Sequence, residues 1–124
     1  MADPRKILLV DDSATIRQLL KFGLSRVPNT SCDEAADGSQ ALKLAEKTRY
    51  DLVLADINMP VMDGLKMLEE LRTRPEYKEV PVVMITTEGA QADQQKAMEK
   101  GATAYLTKPV QIPKFLEVVR TYLK

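Results

Sequence analysis

Short apolar runs alternate along the chain with stretches in which apolar residues recur at helical spacing. The runs cover residues 6–10, 31–35, 51–55, 81–86 and 103–106, and turn-forming residues follow several of them. Several runs are apolar at consecutive positions, which is typical of strands buried on both faces. Because parallel strands need right-handed crossovers, the alternation predicts a doubly wound α/β domain with helices on both faces of one parallel sheet.

Helical periodicity is clearest in three of the intervening stretches. The first helix begins near Ser13 and ends at Pro28, the third opens at Gly64, and Gly101 suits a left-handed C-terminal cap of the fourth. The apolar faces predicted for the first, third and last helices are Ile16, Leu19, Leu20, Leu24 and Val27; Leu65, Leu68 and Leu71; and Ile112, Phe115, Leu116, Val119, Tyr122 and Leu123.

Composition excludes several classes of function. The 18 basic residues balance 18 acidic ones without a basic run, so direct nucleic-acid binding is disfavoured. No apolar stretch approaches the ~20 residues of a membrane span, and the start lacks the apolar core of a signal peptide. We therefore expect a cytoplasmic protein without membrane insertion. The chain has no histidine, which excludes histidine triads and most zinc sites.

Charged and hydroxyl side chains collect at the carboxyl ends of the predicted strands. Asp11 and Asp12 follow the first run, Asp56 follows the third, Thr86 ends the fourth, and Lys108 follows the fifth. In open parallel sheets these ends meet at one edge, where ligands bind. Two carboxylates ~4 Å apart repel by roughly 4 kcal/mol at an effective dielectric near 20, so three together favour a bound cation. Ligands that are all oxygen predict Mg²⁺, with Mn²⁺ able to take its place.

Each of these residues also has a purely structural interpretation. Asp12 or Ser13 can cap the first helix, and Asp56 can organise the turn that follows it. Thr86 suits any strand, and Lys108 is by default a solvated surface residue. Capping explains one acid but not two, and packing alone does not account for such groups at four strand ends of one sheet. Their joint occurrence favours a functional site.

Four segments carry a resemblance to a known family. LLVDDS, ADINMPVMDG, VVMITTE and GATAYLTKP occur in this order, and with their spacing they cover essentially the whole chain. In them the chain resembles the receiver domain of two-component response regulators, most closely the stand-alone chemotaxis regulators. The resemblance implies a (βα)5 flavodoxin-like fold with strand order 2-1-3-4-5. It also implies a single receiver domain over residues 1–124, without an output domain, that acts as a signalling switch rather than an enzyme.

The resemblance implies roles for the residues that handle the phosphoryl group. Asp56 is the implied phosphoacceptor, Lys108 pairs with a phosphoryl oxygen, and the Thr86 hydroxyl bonds another. A loose phosphoryl transition state spreads charge over its equatorial oxygens, so cations and aligned donors stabilise it without an essential acid or base. Thr86 and Tyr105 form the implied switch pair, and a cis peptide is implied between Lys108 and Pro109.

The resemblance also implies the metal ligands and the residues that tune dephosphorylation. Asp12, Asp56 and the backbone carbonyl of Asn58 would bind Mg²⁺ directly, with Asp11 acting mainly through water. Asn58 and Glu88 stand at the two tuning positions and imply fairly fast loss of the phosphoryl group. Thr87 stands where a smaller residue is usual and would crowd the attacking water, which leaves the rate open.

Several functions are compatible with these features. In the first, a sensor histidine kinase phosphorylates a monomeric switch, whose surface of fourth helix, fifth strand and fifth helix then binds a downstream protein. Asn58 and Glu88 favour chemotaxis or motility over a phosphorelay intermediate that passes the phosphoryl group to a phosphotransfer protein. A haloacid dehalogenase-type phosphohydrolase would need an acid where Asn58 stands. A flavodoxin-like FMN binder would need a glycine- and hydroxyl-rich loop in place of DDSAT.

Overall fold

The computed structural model describes residues 3–87 and 89–123. These residues form one sheet of five strands, paired in parallel in the order β2-β1-β3-β4-β5. The predicted doubly wound fold and its strand order are therefore confirmed. The strands are β1 (Arg5–Val10), β2 (Thr30–Ala35), β3 (Leu52–Asp56), β4 (Val82–Thr87) and β5 (Ala104–Lys108).

Five α-helices connect and follow the strands. They are α1 (Ala14–Leu24), α2 (Gly38–Lys47), α3 (Gly64–Arg72), α4 (Gln91–Glu99) and α5 (Ile112–Tyr122). A short 3₁₀ turn, Pro75–Tyr77, follows α3 at the place where the sequence predicts only a helix end. None of the helices in the described part of the chain is long and apolar enough to cross a lipid bilayer.

Side-chain caps begin three of the helices. Ser13 Oγ accepts from the Ile16 N–H at 3.3 Å, so the serine, and not Asp12, caps α1. The carboxylates of Asp37 and Asp63 cap α2 and α3 in the same way. Capping satisfies N–H groups that have no partner inside a helix. It follows that Asp12 is not needed to start α1 and is left for another role.

The sheet separates two hydrophobic clusters. Leu8 and Val10 of β1 face the cluster that contains α2, α3 and Ala97 of α4, whereas Ile7 and Leu9 face the cluster that contains α1 and α5. This alternation is the expected result of the two-residue period of a strand. Because both faces are covered, the ends of the strands are the part of the sheet that remains open to ligands.

The buried face of α1 differs in part from the prediction. Leu20 and Leu24 are buried as predicted, but Leu19 is 38% exposed, so its assignment to the apolar face is wrong. The helix packs through Gly23, where an added Cβ would lie 3.1 Å from the ring of Phe115. A glycine at the centre of the contact carries no apolar signal. Leu19 fits the helical spacing of the apolar residues in α1, although the structure leaves it partly exposed.

Two fully buried tyrosines join the α2–β3 connection to the 3₁₀ turn. The Tyr77 hydroxyl donates to the Thr48 carbonyl at 2.9 Å and accepts from the Tyr50 N–H at 3.0 Å. The Tyr50 hydroxyl donates to Asp33 Oδ2 at 2.6 Å. Burial of the hydroxyl is the largest cause, and the bond to Asp33 the second, of a Tyr50 pKa well above its ordinary value. Both hydroxyls thus act as neutral hydrogen-bonding groups that fix this end of the domain.

Replacing Tyr77 by Phe should destabilise the protein. The Tyr77→Phe substitution leaves the buried Tyr50 N–H without its acceptor, which should lower the free energy of unfolding by about 1–3 kcal/mol. Tyr122→Phe is the matched control, because Tyr122 is half-buried and its hydroxyl makes no hydrogen bond to the residues described. Urea denaturation followed by circular dichroism measures both. Equal unfolding free energies for the two variants would contradict this account of the buried hydroxyl.

Candidate acidic phosphorylation site

Three aspartates converge at the carboxyl edge of the sheet. Asp11 and Asp12 follow β1 directly, and Asp56 is the last residue of β3. One carboxylate oxygen from each lies within 4.8 Å of the others. Asp11 is 1% exposed and Asp56 4%, whereas Asp12 is open to solvent. The structure therefore brings together the three acids that the sequence predicts at this edge.

The side chain of Lys108 reaches Asp11 and Asp56 from β5. This lysine is the last residue of β5, and its Nζ lies 2.9 Å from Asp56 Oδ2 and 3.5 Å from Asp11 Oδ2. Desolvation of Lys108 opposes its charge, but the hydrogen bond to Asp56 and the attraction of both carboxylates outweigh it, so the pKa of Lys108 is raised. The lysine is therefore charged at neutral pH. The peptide bond between Lys108 and Pro109 is cis, as the resemblance implies.

Burial and the close packing of charged groups change the pKa of Asp11. Burial raises its pKa, the Ser13 N–H that donates to Oδ1 at 2.9 Å lowers it, and the charge of Asp56 raises it further. The net pKa of Asp11 lies above its ordinary value. Its Oδ2 is buried, lies 3.5 Å from Lys108 Nζ, and makes no hydrogen bond to the residues described. An oxygen-only cluster with one unsatisfied buried oxygen fits a hard divalent cation such as Mg²⁺.

The loop after Asp56 folds back against the aspartate. The Asn58 N–H donates to Asp56 Oδ1 at 3.2 Å, so Asp56 also organises the turn, as its structural interpretation suggests. Gly64 N–H donates to the Ile57 carbonyl at 2.8 Å. A Cβ at position 64 would overlap the backbone carbonyl oxygen of Asp56, so only glycine allows this close approach. Asp56 and the loop after it are thus packed together.

An open pocket of about 410 Å³ lies beside the acids. It is lined by Asp12, Asn58, Met59, Pro60 and Asp63. A larger cavity, of about 600 Å³, includes Asp51 and Pro81, which precede β3 and β4 and so belong to the opposite edge of the sheet. That cavity contains none of the clustered acids. The smaller pocket opens beside Asp12 and Asn58.

The remaining predicted residues lie around the same edge. Thr86 of β4 is fully buried, and Thr87, the last residue of that strand, is exposed. Tyr105 of β5 is 43% exposed, so its ring faces outward in this structure. Glu88 lies outside the described residues. The residues predicted for the site and the switch thus come from neighbouring strands.

Two polar residues that the sequence did not predict also contact the site. Arg17 of α1 donates to the backbone carbonyl of Asp11 and, through Nε, to Glu34 Oε1 at 2.9 Å. Gln94 of α4 donates through Nε2 to Thr86 Oγ1 at 3.4 Å. Arg17 pairs with Glu34 of β2, so its position in the sequence gave no local signal. Gln94 lies in a polar helix and gave none.

Comparison with known proteins identifies the family. Residues 7–120 match the model of the response regulator receiver domain. A probable chemotaxis protein CheY of Rhizobium etli is 37% identical over 114 residues, covering 92% of this chain and 88% of the relative. The structure of the chemotaxis response regulator CheY4 of Vibrio cholerae superposes with a TM-score of 0.89 at 37% identity, covering 97% of this chain and 99% of that one.

A second similar solved structure contains a metal ion. It is the receiver domain of a sensor histidine kinase from Pseudomonas aeruginosa PAO1, with a TM-score of 0.87 and 28% identity over 97% of this chain and 98% of that one. It holds a magnesium ion coordinated in its active site cleft. The family match, the chemotaxis relatives and the shared fold agree with the resemblance carried by the sequence motifs. The chain belongs to the response regulator receiver domain family of two-component signalling.

Proposed function

We propose that this receiver is a phosphorylation switch in which Asp56 accepts a phosphoryl group from the phosphohistidine of a sensor histidine kinase. The observation that carries the proposal is the arrangement of Asp56, which is nearly buried and lies 2.9 Å from the ammonium of Lys108. Two further carboxylates stand beside it. A carboxylate placed between an ammonium and a cation-binding cluster suits attack on an anionic phosphorus centre.

The transfer needs little from the protein except position and charge. A carboxylate oxygen of Asp56 forms a bond to phosphorus while the bond from phosphorus to the histidine nitrogen of the kinase breaks. The imidazole leaves with the electron pair and takes a proton from solvent. Lys108 stabilises the charge on the equatorial oxygens, as does the Thr86 hydroxyl once it turns toward them. No general acid or base is required of this chain, so its lack of histidine is no obstacle.

We propose that Mg²⁺ completes the site. Asp12 and Asp56 would hold the ion directly with the Asn58 backbone carbonyl, and Asp11 would hold it mainly through water; Mn²⁺ can substitute. When bound, the ion neutralises charge that builds up on the transferring group. The oxygen-only donor set and the unsatisfied Asp11 Oδ2 support this assignment. The magnesium ion in the Pseudomonas aeruginosa receiver supports it by similarity.

We propose that phosphorylation changes the shape of the face formed by α4, β5 and α5. Thr86 would bond a phosphoryl oxygen, Tyr105 would turn inward from its exposed position, and the face of α4, β5 and α5 would bind a downstream protein. Added charge at Asp56 biases an existing equilibrium between two conformations. The relatives that are chemotaxis proteins favour a motility target over a phosphorelay role. Asn58 and Thr87 are proposed to tune dephosphorylation from the rim of the site.

Hydrolysis of small phosphoesters is not favoured by this site. A phosphohydrolase that forms an aspartyl phosphate needs an acid to protonate its leaving group. The position two residues after Asp56 is Asn58, whose amide cannot supply a proton. The chain is therefore proposed to hold its phosphoryl group as a signal rather than to turn over substrates.

The phosphoryl group should be added to Asp56. Incubation of the chain with Mg²⁺ and a small phosphodonor should add one phosphoryl group, measured by intact mass, and hydroxylamine should remove it because the product is an acyl phosphate. Asp56→Asn should abolish the addition, whereas the control Asp93→Asn, on α4, should keep it. Labelling of Asp56→Asn at the level of the unaltered chain would refute the assignment of the acceptor.

Magnesium should stabilise the folded state through the acidic cluster. At a free Mg²⁺ concentration ten times the dissociation constant, binding should add about 1.4 kcal/mol to the free energy of unfolding, seen as a higher melting temperature. Asp12→Asn should lose most of this gain. Asp3→Asn should retain it, because Asp3 precedes β1 and so lies toward the opposite edge of the sheet. A magnesium effect of equal size in both variants would mean that the ion binds elsewhere.

A further inference from the structure

The two ends of α4 are anchored differently. Ala97, in its second half, is the buried residue of the helix. Just beyond the helix, Lys100 pairs with Glu69 of α3 at 3.0 Å, and the Gly101 carbonyl accepts two hydrogen bonds from Arg72. At the other end, the Ala90 N-cap makes no side-chain capping bond. The first half of α4 is therefore the part that can shift with the least loss of packing.

In the part of the chain that the structure describes, one side-chain hydrogen bond joins the first half of α4 to the sheet. Gln94 Nε2 donates to Thr86 Oγ1 at 3.4 Å, and Thr86 is 0% exposed. Among residues 3–87 and 89–123 this is the hydrogen bond that the Thr86 hydroxyl makes. The donor–acceptor distance is long for an N–H···O bond, whose ordinary value is about 2.9–3.0 Å. A small movement of the hydroxyl away from α4 is therefore enough to break it.

We propose that Gln94 is a positioning residue that holds the Thr86 hydroxyl in its unphosphorylated place and couples it to α4. The proposal rests on the proposed function, in which Thr86 turns toward a phosphoryl group on Asp56. That turn and the Gln94 bond compete for the same hydroxyl. Phosphorylation releases Gln94, and the first half of α4 loses its polar link to β4. Gln94 thus sets how easily the switch turns on and carries the change to the helix that forms the output face.

Removing the amide should favour the activated conformation. Beryllofluoride with Mg²⁺ is the probe, because it occupies the place of a phosphoryl group on a carboxylate. Gln94→Leu should bind it about two- to fivefold more tightly, since one weak hydrogen bond that favours the unphosphorylated state is lost. The matched control is Gln95→Leu, because Gln95 is exposed and its amide contacts Glu99 on the same helix. Titration followed by amide chemical shifts in NMR spectra gives each dissociation constant.

A second substitution should shift the equilibrium in the opposite direction. In Gln94→Glu the carboxylate accepts a charge-assisted hydrogen bond from the Thr86 hydroxyl, which holds it more firmly away from Asp56. Beryllofluoride binding should weaken beyond the loss seen in Gln95→Glu, which adds the same charge one residue away. A side chain that merely supported the fold would weaken binding in both Gln94→Leu and Gln94→Glu. Opposite shifts are expected only if the amide competes for the hydroxyl.

The outcomes separate this proposal from the proposed function. Tighter binding by Gln94→Leu, with weaker binding by Gln94→Glu than by Gln95→Glu, supports the coupling. Unchanged or weaker binding by Gln94→Leu, alongside normal binding by the unaltered chain, overturns the coupling and leaves the phosphoacceptor assignment intact. Equal beryllofluoride binding by Asp56→Asn and the unaltered chain, or no binding by the unaltered chain, overturns both.

Discussion

Repulsion between carboxylates at one edge of the sheet is the constraint on which this structure depends. Asp11 and Asp56 are both nearly buried, and Asp12 stands beside them. Lys108 lies within 2.9 Å of Asp56 and 3.5 Å of Asp11, so one ammonium offsets part of the charge. An unsatisfied buried oxygen on Asp11 remains. The site is short of positive charge, which supports the proposed binding of a cation beside Asp56.

The fold supplies that constraint through its strand order. Asp11 and Asp12 follow β1 directly, Asp56 ends β3, and Lys108 ends β5, the last strand in the sheet order. Gly64 lets the following loop pack directly on the peptide of Asp56, so this aspartate is held by backbone as well as by charge. Arg17 holds the Asp11 carbonyl from the α1 side. The strands thus hold the clustered side chains in place, whereas α4 has one buried residue, Ala97.

The sequence predicted the parts of the structure that follow from periodicity and from strand ends. Asp11, Asp12, Asp56 and Lys108 met because parallel strands bring their carboxyl ends to one edge, whatever the side-chain packing. Leu19 was placed wrongly on the buried face of α1, where Gly23 makes a close contact that a hydrophobic pattern does not reveal. The bond from Gln94 to Thr86 depends on how a polar helix lies over the sheet. Polar contacts of this kind, between side chains on separate elements, leave no local signal in one sequence.

The central claim is that the acidic cluster is a divalent-cation site built around Asp56. The most direct measurement is the anomalous scattering from crystals of the protein grown with Mn²⁺ in place of Mg²⁺. The account predicts one strong peak at about 2.1 Å from carboxylate oxygens of Asp12 and Asp56, with the Asn58 carbonyl as a further ligand. A cluster without a peak, or a peak bound only to acids at another edge of the sheet, would contradict it.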